Sequence, residues 1–372
     1  MPTTDPRWLN PRAPWGPEHL AMRLLRDPRD LLFIRVMAVV SAILLPLATF
    51  VFLLPPWGVA AVAVPYLAFV FLNFGGRYGL MLHANGHRPI FRREWRFLSN
   101  YVPFVLGPFL GHTPTSFAAH HMWMHHAENN MLGDGSSTMP YRRDHFPHFL
   151  HYWFRFFAFG HMHLIRYLWL RGRTKTVYRF IGGELFWLGL VAAALWVNWA
   201  AALLVFVVPM LMMRWLMMAG NWSQHAFINM DDPDSGWHNS TCLTNTRYNH
   251  KCYNDGYHII HHLKPAMHYT EMAQWYDDHI DQFREHDCLV FDGIADNQAI
   301  WFLLMTKNYD KLAKHMVELV PRSHEEKVAY LQTRVRTQKG TIPSLFWLET
   351  PANVQATTRR GGISTEEALA LE

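Results

Sequence analysis

Cysteine is scarce in this chain. Its 372 residues hold three, Cys242, Cys252 and Cys288, and no two form a Cys-x-x-Cys pair. That excludes a disulfide scaffold, a zinc ribbon and a cysteine-bound iron–sulfur cluster, and it fits thiols in a reducing setting. A Gly-x-Gly-x-x-Gly nucleotide motif is missing, as is the His-Pro-Gly-Gly of a cytochrome b5 domain. Charge is thin at 17% of residues, and the excess of Lys and Arg (34) over Asp and Glu (29) is scattered. This mild basicity suits an anionic lipid surface better than a nucleic acid, for which no motif is present. The N-terminal stretch MPTTDPRWLNPRAPWGPEHL lacks the short apolar core of a cleaved leader. No internal repeat is visible.

What is abundant is apolar and aromatic: half the residues are hydrophobic and 15% are aromatic. Four apolar runs approach the roughly 20 residues needed to cross a bilayer. They cover about 32–54, 57–80, 184–199 and 200–219. Short turns without Lys or Arg join the first to the second and the third to the fourth, so the sequence predicts two hairpins. Arg23, Arg26 and Arg29 precede the first run, and the 81–181 loop and the region after 220 are rich in basic residues. The positive-inside rule then puts both termini and the central loop on the cytoplasmic side. Residues 97–111 are apolar but broken by Pro and Gly, which leaves them open. Residues 148–170 mix aromatics with His and Arg and read as an amphipathic helix at the bilayer surface.

The expected fold class is an all-α integral membrane protein. Four transmembrane helices form two hairpins, joined by interfacial helices and a cytoplasmic helical cap. The expected divisions are a cytoplasmic N-terminal segment (1–30), a membrane and catalytic domain (31–290), a cytoplasmic helical extension (291–349) and a loose tail (350–372).

Histidine is in excess, with 24 residues against 29 for Asp and Glu together. The histidines cluster. His83 and His87 lie in HANGH, and His120, His121, His125 and His126 in HHMWMHH. Asn221 and His225 bound NWSQH, and His258, His261 and His262 belong to HIIHH. Residues at i and i+4 share a helix face, so His83 and His87 point together, as do His121 and His125. In HIIHH, the adjacent pair can direct one imidazole to each of two metals. So many imidazoles exceed the shell of one ion, and two metals are the natural count. Imidazole suits Zn, Cu, Fe and Ni. The boxes hold almost no carboxylate, unlike soluble di-iron bundles. Composition does not choose iron over zinc.

HANGH, HHMWMHH and HIIHH resemble the three histidine boxes of the membrane fatty acid desaturase family, and the resemblance covers roughly residues 30–290 with spans and boxes in the family order. The Asn-x-x-x-His after the fourth span is similar to one in acyl-CoA desaturases. The resemblance implies His83, His87, His121, His125, His126, His225, His258, His261 and His262 as ligands of two iron ions. It implies Asn221 as a contact through water. Box two reads HxxxHH rather than HxxHH, a spacing also found among acyl-lipid desaturases and related hydroxylases. This leaves His120 and His121 both open, with the i+4 relation to His125 favouring His121. Implied with these are O2 as co-substrate, a lipid acyl chain as substrate, and desaturation as the reaction. Hydroxylation, triple-bond formation or oxidative decarboxylation on the same scaffold is the alternative. A non-enzymatic membrane metal-binding protein is a distant one. With no fused donor domain, a separate electron donor of ferredoxin, rubredoxin or cytochrome b5 type is expected.

Metal-bound imidazoles usually donate their second N–H to a carboxylate or carbonyl. Glu128, Asp134, Asp255 and Glu271 are the nearby candidates. Trp123 and Trp222 would line an acyl tunnel or simply pack. The NDGY stretch (254–257) reads as a turn or cap that starts the third-box helix. The remaining histidines, His112, His145, His148, His151, His161, His163, His238, His250, His268, His279, His286, His315 and His324, are expected outside the ligand set.

Overall fold

The computed structural model describes residues 2–8 and 13–346. The tail expected beyond 350 lies outside the described residues. The described residues are mostly helical, and among them four helices are long and apolar enough to cross a membrane: Pro28–Phe52, Pro56–His87, Thr174–Val197 and Trp199–Gln224. The second outruns its apolar stretch and carries His83 and His87 on its last turns. The third starts at Thr174 rather than near 184. Both extensions are polar, so an apolar run alone does not reveal them.

The described residues divide into two compact units. One comprises residues 8–119 and 175–215 and holds most of the apolar helices. In each of the four spans only between 22% and 44% of the most apolar window is buried. Val39, Ile43, Val64, Leu72, Leu188 and Trp196 are left exposed. Apolar surface on that scale needs a lipid or protein neighbour. Asn198 separates the third and fourth spans. Its carbonyl oxygen caps Ala201 N–H, and its amide donates to the Phe52 and Leu54 carbonyls at 3.1 and 2.9 Å. One side chain therefore fixes two turns, satisfying backbone groups that lipid would leave unpaired.

The broken apolar segment left open by sequence, 97–111, ends in a close backbone contact within this unit, and the residues just after it make more. Gly111 adopts φ +83°, and a Cβ there would stand 2.2 Å from the Pro209 carbonyl oxygen. A Cβ on Gly183, in the third span, would stand 2.1 Å from the Pro114 carbonyl oxygen. Thr113 Oγ1 donates to Glu184 at 2.5 Å, and Thr115 Oγ1 to the Arg179 carbonyl at 3.1 Å. Residues 111–115 thus lie tight on the third and fourth spans because glycine removes the side chain at each contact.

The second unit comprises the described parts of 1–7, 120–174 and 216–372. Two short parallel strands, β1 (Cys242–Thr244) and β2 (Val290–Asp292), pair at its centre. One apolar cluster joins Phe227, Leu243 and Phe291 to the later helices through Ile300, Leu312 and Leu331. The other holds Tyr257, Ile259, Ile260, Phe283 and Val290. In HIIHH the two isoleucines therefore anchor the helix while the histidines are left for other work. Arg143 is fully buried, and it donates to the carbonyls of Ala226, Tyr141, Arg334 and Thr337 at 2.5–3.0 Å. It fastens the residue after His225 to the last described helix, His324–Arg336.

The aromatic stretch in this unit is one helix, Phe146–Leu170. Phe149, Tyr152, Leu164 and Tyr167 are buried. Phe146, Leu150, Phe154, Met162 and Trp169 form an exposed apolar stripe. An outward stripe of this kind matches the amphipathic helix expected from sequence.

Candidate metal centre

HHMWMHH does not form an ordinary α-helical turn. Residues His121–His125 make a π-helical turn, closed by His126 N–H to the His121 carbonyl. The wider turn brings residues five apart together. His126 Nε2 lies 3.0 Å from His121 Nε2, and 2.8 Å from His261 Nε2. His125 belongs to a different set: its nitrogen clusters with those of His225, His258 and His262, all within 4.8 Å of one another. There, His258 Nε2 lies 3.2 Å from His225 Nε2 and 3.1 Å from His262 Nε2.

Adjacent histidines therefore serve different sets in both boxes. His125 and His126 part company, as do His261 and His262. Sequence anticipated the split for box three. In box two it put His121 and His125 on one face, and their rings do stack at 5.4 Å, but their nitrogens fall in different sets because the π-turn brings His126 to His121. His120 lies in neither set. Its Nε2 sits 3.7 Å from Asp134 Oδ1, and its ring meets Phe156 edge-on at 4.9 Å. Among the described residues, none of the histidines expected outside the ligand set joins either group. His268, for example, bonds Thr270 Oγ1 at 2.8 Å.

His83 and His87 occupy the end of the second span, in the other unit. Their rings stand 5.1 Å apart, edge to face, and His83 also meets Phe117 at 5.9 Å.

The converging nitrogens fit a metal. Donors bonded at about 2.1 Å to one ion stand roughly 3–3.5 Å apart at right-angled or tetrahedral positions. The observed 2.8–3.2 Å separations are of that size. The outer nitrogens are held as a metal site requires. His125 Nδ1 bonds Asp134 Oδ2 at 2.7 Å, and His225 Nδ1 bonds the Asn239 carbonyl at 2.8 Å and its Oδ1 at 3.1 Å. These partners fix Nδ1–H as the donor and leave each Nε2 lone pair facing inward. Burial, with a smaller contribution from the neighbouring His125 ring, pushes His225 down to about 3, which keeps its ring neutral. Burial alone would raise Asp134, but His125 and His120 outweigh it and hold the carboxyl well below its usual range.

Asp134 is a hub. Its Oδ1 accepts from Ser136 N–H and Oγ, both at 2.8 Å. The Ser136 carbonyl accepts from Asn221 Nδ2 at 3.1 Å, and Asn221 Nδ2 also donates to Tyr152 Oη at 2.7 Å. Both amide hydrogens of Asn221 are thus committed, and its carbonyl oxygen remains as the acceptor. One turn orients both His125 and Asn221. Asp134→Asn is expected to weaken metal binding about 10- to 100-fold, as outer-sphere changes do. Competition with a calibrated chelator on the purified protein reads this directly; unchanged affinity would contradict the hub.

Of the other carboxylate candidates, Glu128 accepts from Tyr167 Oη at 2.7 Å and pairs with Arg171. Asp255 accepts from Tyr248 Oη at 2.5 Å and Gln224 Nε2 at 3.2 Å. Trp222 is a packing residue: it is fully buried against Phe149 and Tyr152, and its Nε1 donates to the Arg143 carbonyl at 3.0 Å. Trp123 is buried under the Arg173 guanidinium, 3.9 Å from the ring centre. Sequence reasoning missed Asn239. It lies 14 residues beyond His225 with no periodic relation to any box, so nothing in the pattern marks it.

The family model for fatty acid desaturases matches residues 55–293, well over half of the chain. The chain belongs to the fatty acid desaturase family. The match takes in the second span, all the histidine clusters and Asn239. No curated protein and no solved structure gave a match. Family membership makes this desaturase-family protein an oxidoreductase acting on fatty acids, with lipid as the substrate class and a membrane as its setting.

Proposed function

We propose that this protein is an O2-dependent acyl-chain desaturase with a histidine-ligated di-iron centre. The observation that carries the reading is the pair of converging imidazole sets in a chain of this family. On this reading His121, His126 and His261 hold one iron, and His125, His225, His258 and His262 the other. His83 and His87, assigned by the histidine-box pattern, belong to the same centre. Asn221 holds a water at the site through its carbonyl oxygen.

An unactivated C–H bond offers no acid or base handle, and the iron pair would supply the one-electron oxidising power that side chains lack. The protein's own residues position and protect. Asp134 and Asn239 fix two ring tautomers, and burial keeps His225 neutral. The ligand-bearing helix is anchored by Ile259 and Ile260. In the net reaction an acyl chain loses two hydrogens. O2 takes these, with two electrons and two protons from a donor and the medium, to become two waters. A separate ferredoxin, rubredoxin or cytochrome b5 type protein, with its reductase, supplies the electrons.

The spans are read as two hairpins, with the centre and both termini on the cytoplasmic side. Residues 31–290 form the catalytic domain, preceded by a cytoplasmic segment (1–30) and followed by a helical extension (291–349). The loop bonds of Asn198 support the hairpin reading by tying the 53–55 turn to the 198 turn.

Lipid analysis of cells expressing the chain tests the reaction. New double bonds that disappear without O2 support desaturation. Hydroxy acids, triple bonds or terminal alkenes would show the alternative oxidation. Metal analysis of the purified protein is expected to give about two irons per chain, and one zinc would overturn the di-iron assignment.

A further inference from the structure

Asp5 is a carboxylate that the proposed chemistry does not use, yet it is buried to 3% exposure. Buried charge is retained only where it is heavily bonded. Asp5 accepts four hydrogen bonds from residues some 240 positions away. Its Oδ2 takes Asn245 N–H at 2.7 Å, Asn249 Nδ2 at 2.9 Å and Tyr257 Oη at 2.7 Å, and its Oδ1 takes Thr246 N–H at 3.2 Å. The neighbouring residues are stitched to the same region. Thr4 N–H donates to Asn245 Oδ1 at 2.7 Å, and Thr3 N–H to Asp277 Oδ1 at 3.0 Å. Arg7 pairs with Asp277, and the Pro6 carbonyl accepts from Asn254 Nδ2 at 2.8 Å.

These partners are not scattered. Asn245 and Thr246 leave β1, Asn249 lies in the helix Arg247–Lys251, and Tyr257 immediately precedes the third-box helix His258–Leu263. Tyr257 is fully buried, and no side chain among the described residues caps that helix at its start. Its hydroxyl bond to Asp5 and its ring contact with Tyr276, at 5.8 Å, hold the entry to the helix. The helix is only six residues long, and its adjacent His261 and His262 face different imidazole sets. A small rotation would misplace ligands in both.

We propose that Asp5 is a positioning residue for the third histidine box, acting through Tyr257, so that residues 3–7 are a working part of the metal centre. This rests on His258, His261 and His262 being metal ligands. Its consequence is that alterations at the very start of the chain change metal affinity.

The test uses the full-length protein in detergent, stripped with a chelator and titrated with Co2+ alone, whose visible bands report ligand geometry. Asp5→Asn keeps the size and removes the charge, and it is expected to weaken cobalt uptake about tenfold and shift the bands, with an unchanged elution profile. Asp5→Ala is expected to weaken it further. Tyr257→Phe should reproduce part of the loss, and combining it with Asp5→Asn should add less than the two single effects, as for residues in one network. His258→Ala separates the two readings. If His258→Ala binds cobalt like wild type, the metal assignment fails. If it does not, while Asp5→Asn and Asp5→Ala both bind cobalt with wild-type affinity and bands, the Asp5 proposal is overturned and the metal assignment stands. Strictly additive losses in the Asp5 and Tyr257 pair would also overturn the route through Tyr257.

Discussion

Replacing His225 by Ala is expected to abolish turnover and to reduce bound iron from about two per chain to about one. His225 is wholly buried, and its set contains only four histidines among the described residues. Its outer nitrogen is locked by Asn239, and its inner nitrogen lies 3.2 Å from that of His258. Loss of an outer-sphere partner typically weakens metal binding 10- to 100-fold, so loss of a ligand should exceed ~100-fold. The other set should stay loaded, because His121, His126 and His261 do not depend on His225 for their contacts. Elemental analysis of the purified variant, alongside product formation in the same preparation, checks both halves. Full iron with full turnover would remove His225 from the centre. Asn239→Ala should give a milder version of the same defect, since the ring remains but its tautomer is no longer fixed.

Gly183→Val is expected to prevent assembly of the apolar unit, whereas Gly182→Ala should be tolerated. The two glycines are neighbours in the third span, yet their surroundings are opposite. A Cβ on Gly182 meets nothing within 4 Å, while one on Gly183 would overlap the Pro114 carbonyl oxygen and stand 2.6 Å from Thr115 Oγ1. Overpacking usually costs about 1–3 kcal/mol, with larger values where backbone must move. Here the obstacle is backbone, and the displaced segment carries Thr113, whose bond to Glu184 would break with it. Losing that donor inside an apolar span adds a further penalty of about 1–3 kcal/mol. Gly182→Ala removes a helix-weakening residue and should be neutral or slightly stabilising. Thermal unfolding followed by size-exclusion in detergent reads both variants. Equal stability of Gly183→Val and wild type would contradict the packing.

The spans and boxes were legible because each is written in a period. Apolar runs of membrane length announce themselves whatever they touch, and histidines three or four apart share a helix face by construction. The features that were illegible are set by contacts between residues distant in sequence. Asn239 meets His225 only because the loop after it folds back. Asp5 meets Tyr257 across most of the chain. The 97–111 stretch was left open because Pro and Gly break its apolar run. Only the missing Cβ at Gly111, against the Pro209 carbonyl, says where its end sits. Box two was half legible: the sequence named its residues and set His121 beside His125, whose rings do stack at 5.4 Å, but it did not show the π-turn that also brings His126 to His121.

That last point reaches beyond the site. An α-helix advances by about 100° per residue, so His121 and His126 would point about 140° apart in one. The π-turn slows the rotation over five residues and closes most of that angle. The spacer in HHMWMHH therefore works as a phase adjustment rather than an added length. Removing one residue from it should be absorbed by tightening the turn to an α-helix, with the histidines on either side kept in step. Adding one should put them out of step. The turn therefore holds one residue in reserve: the box can lose it and keep its histidines aligned, but it has no room for another.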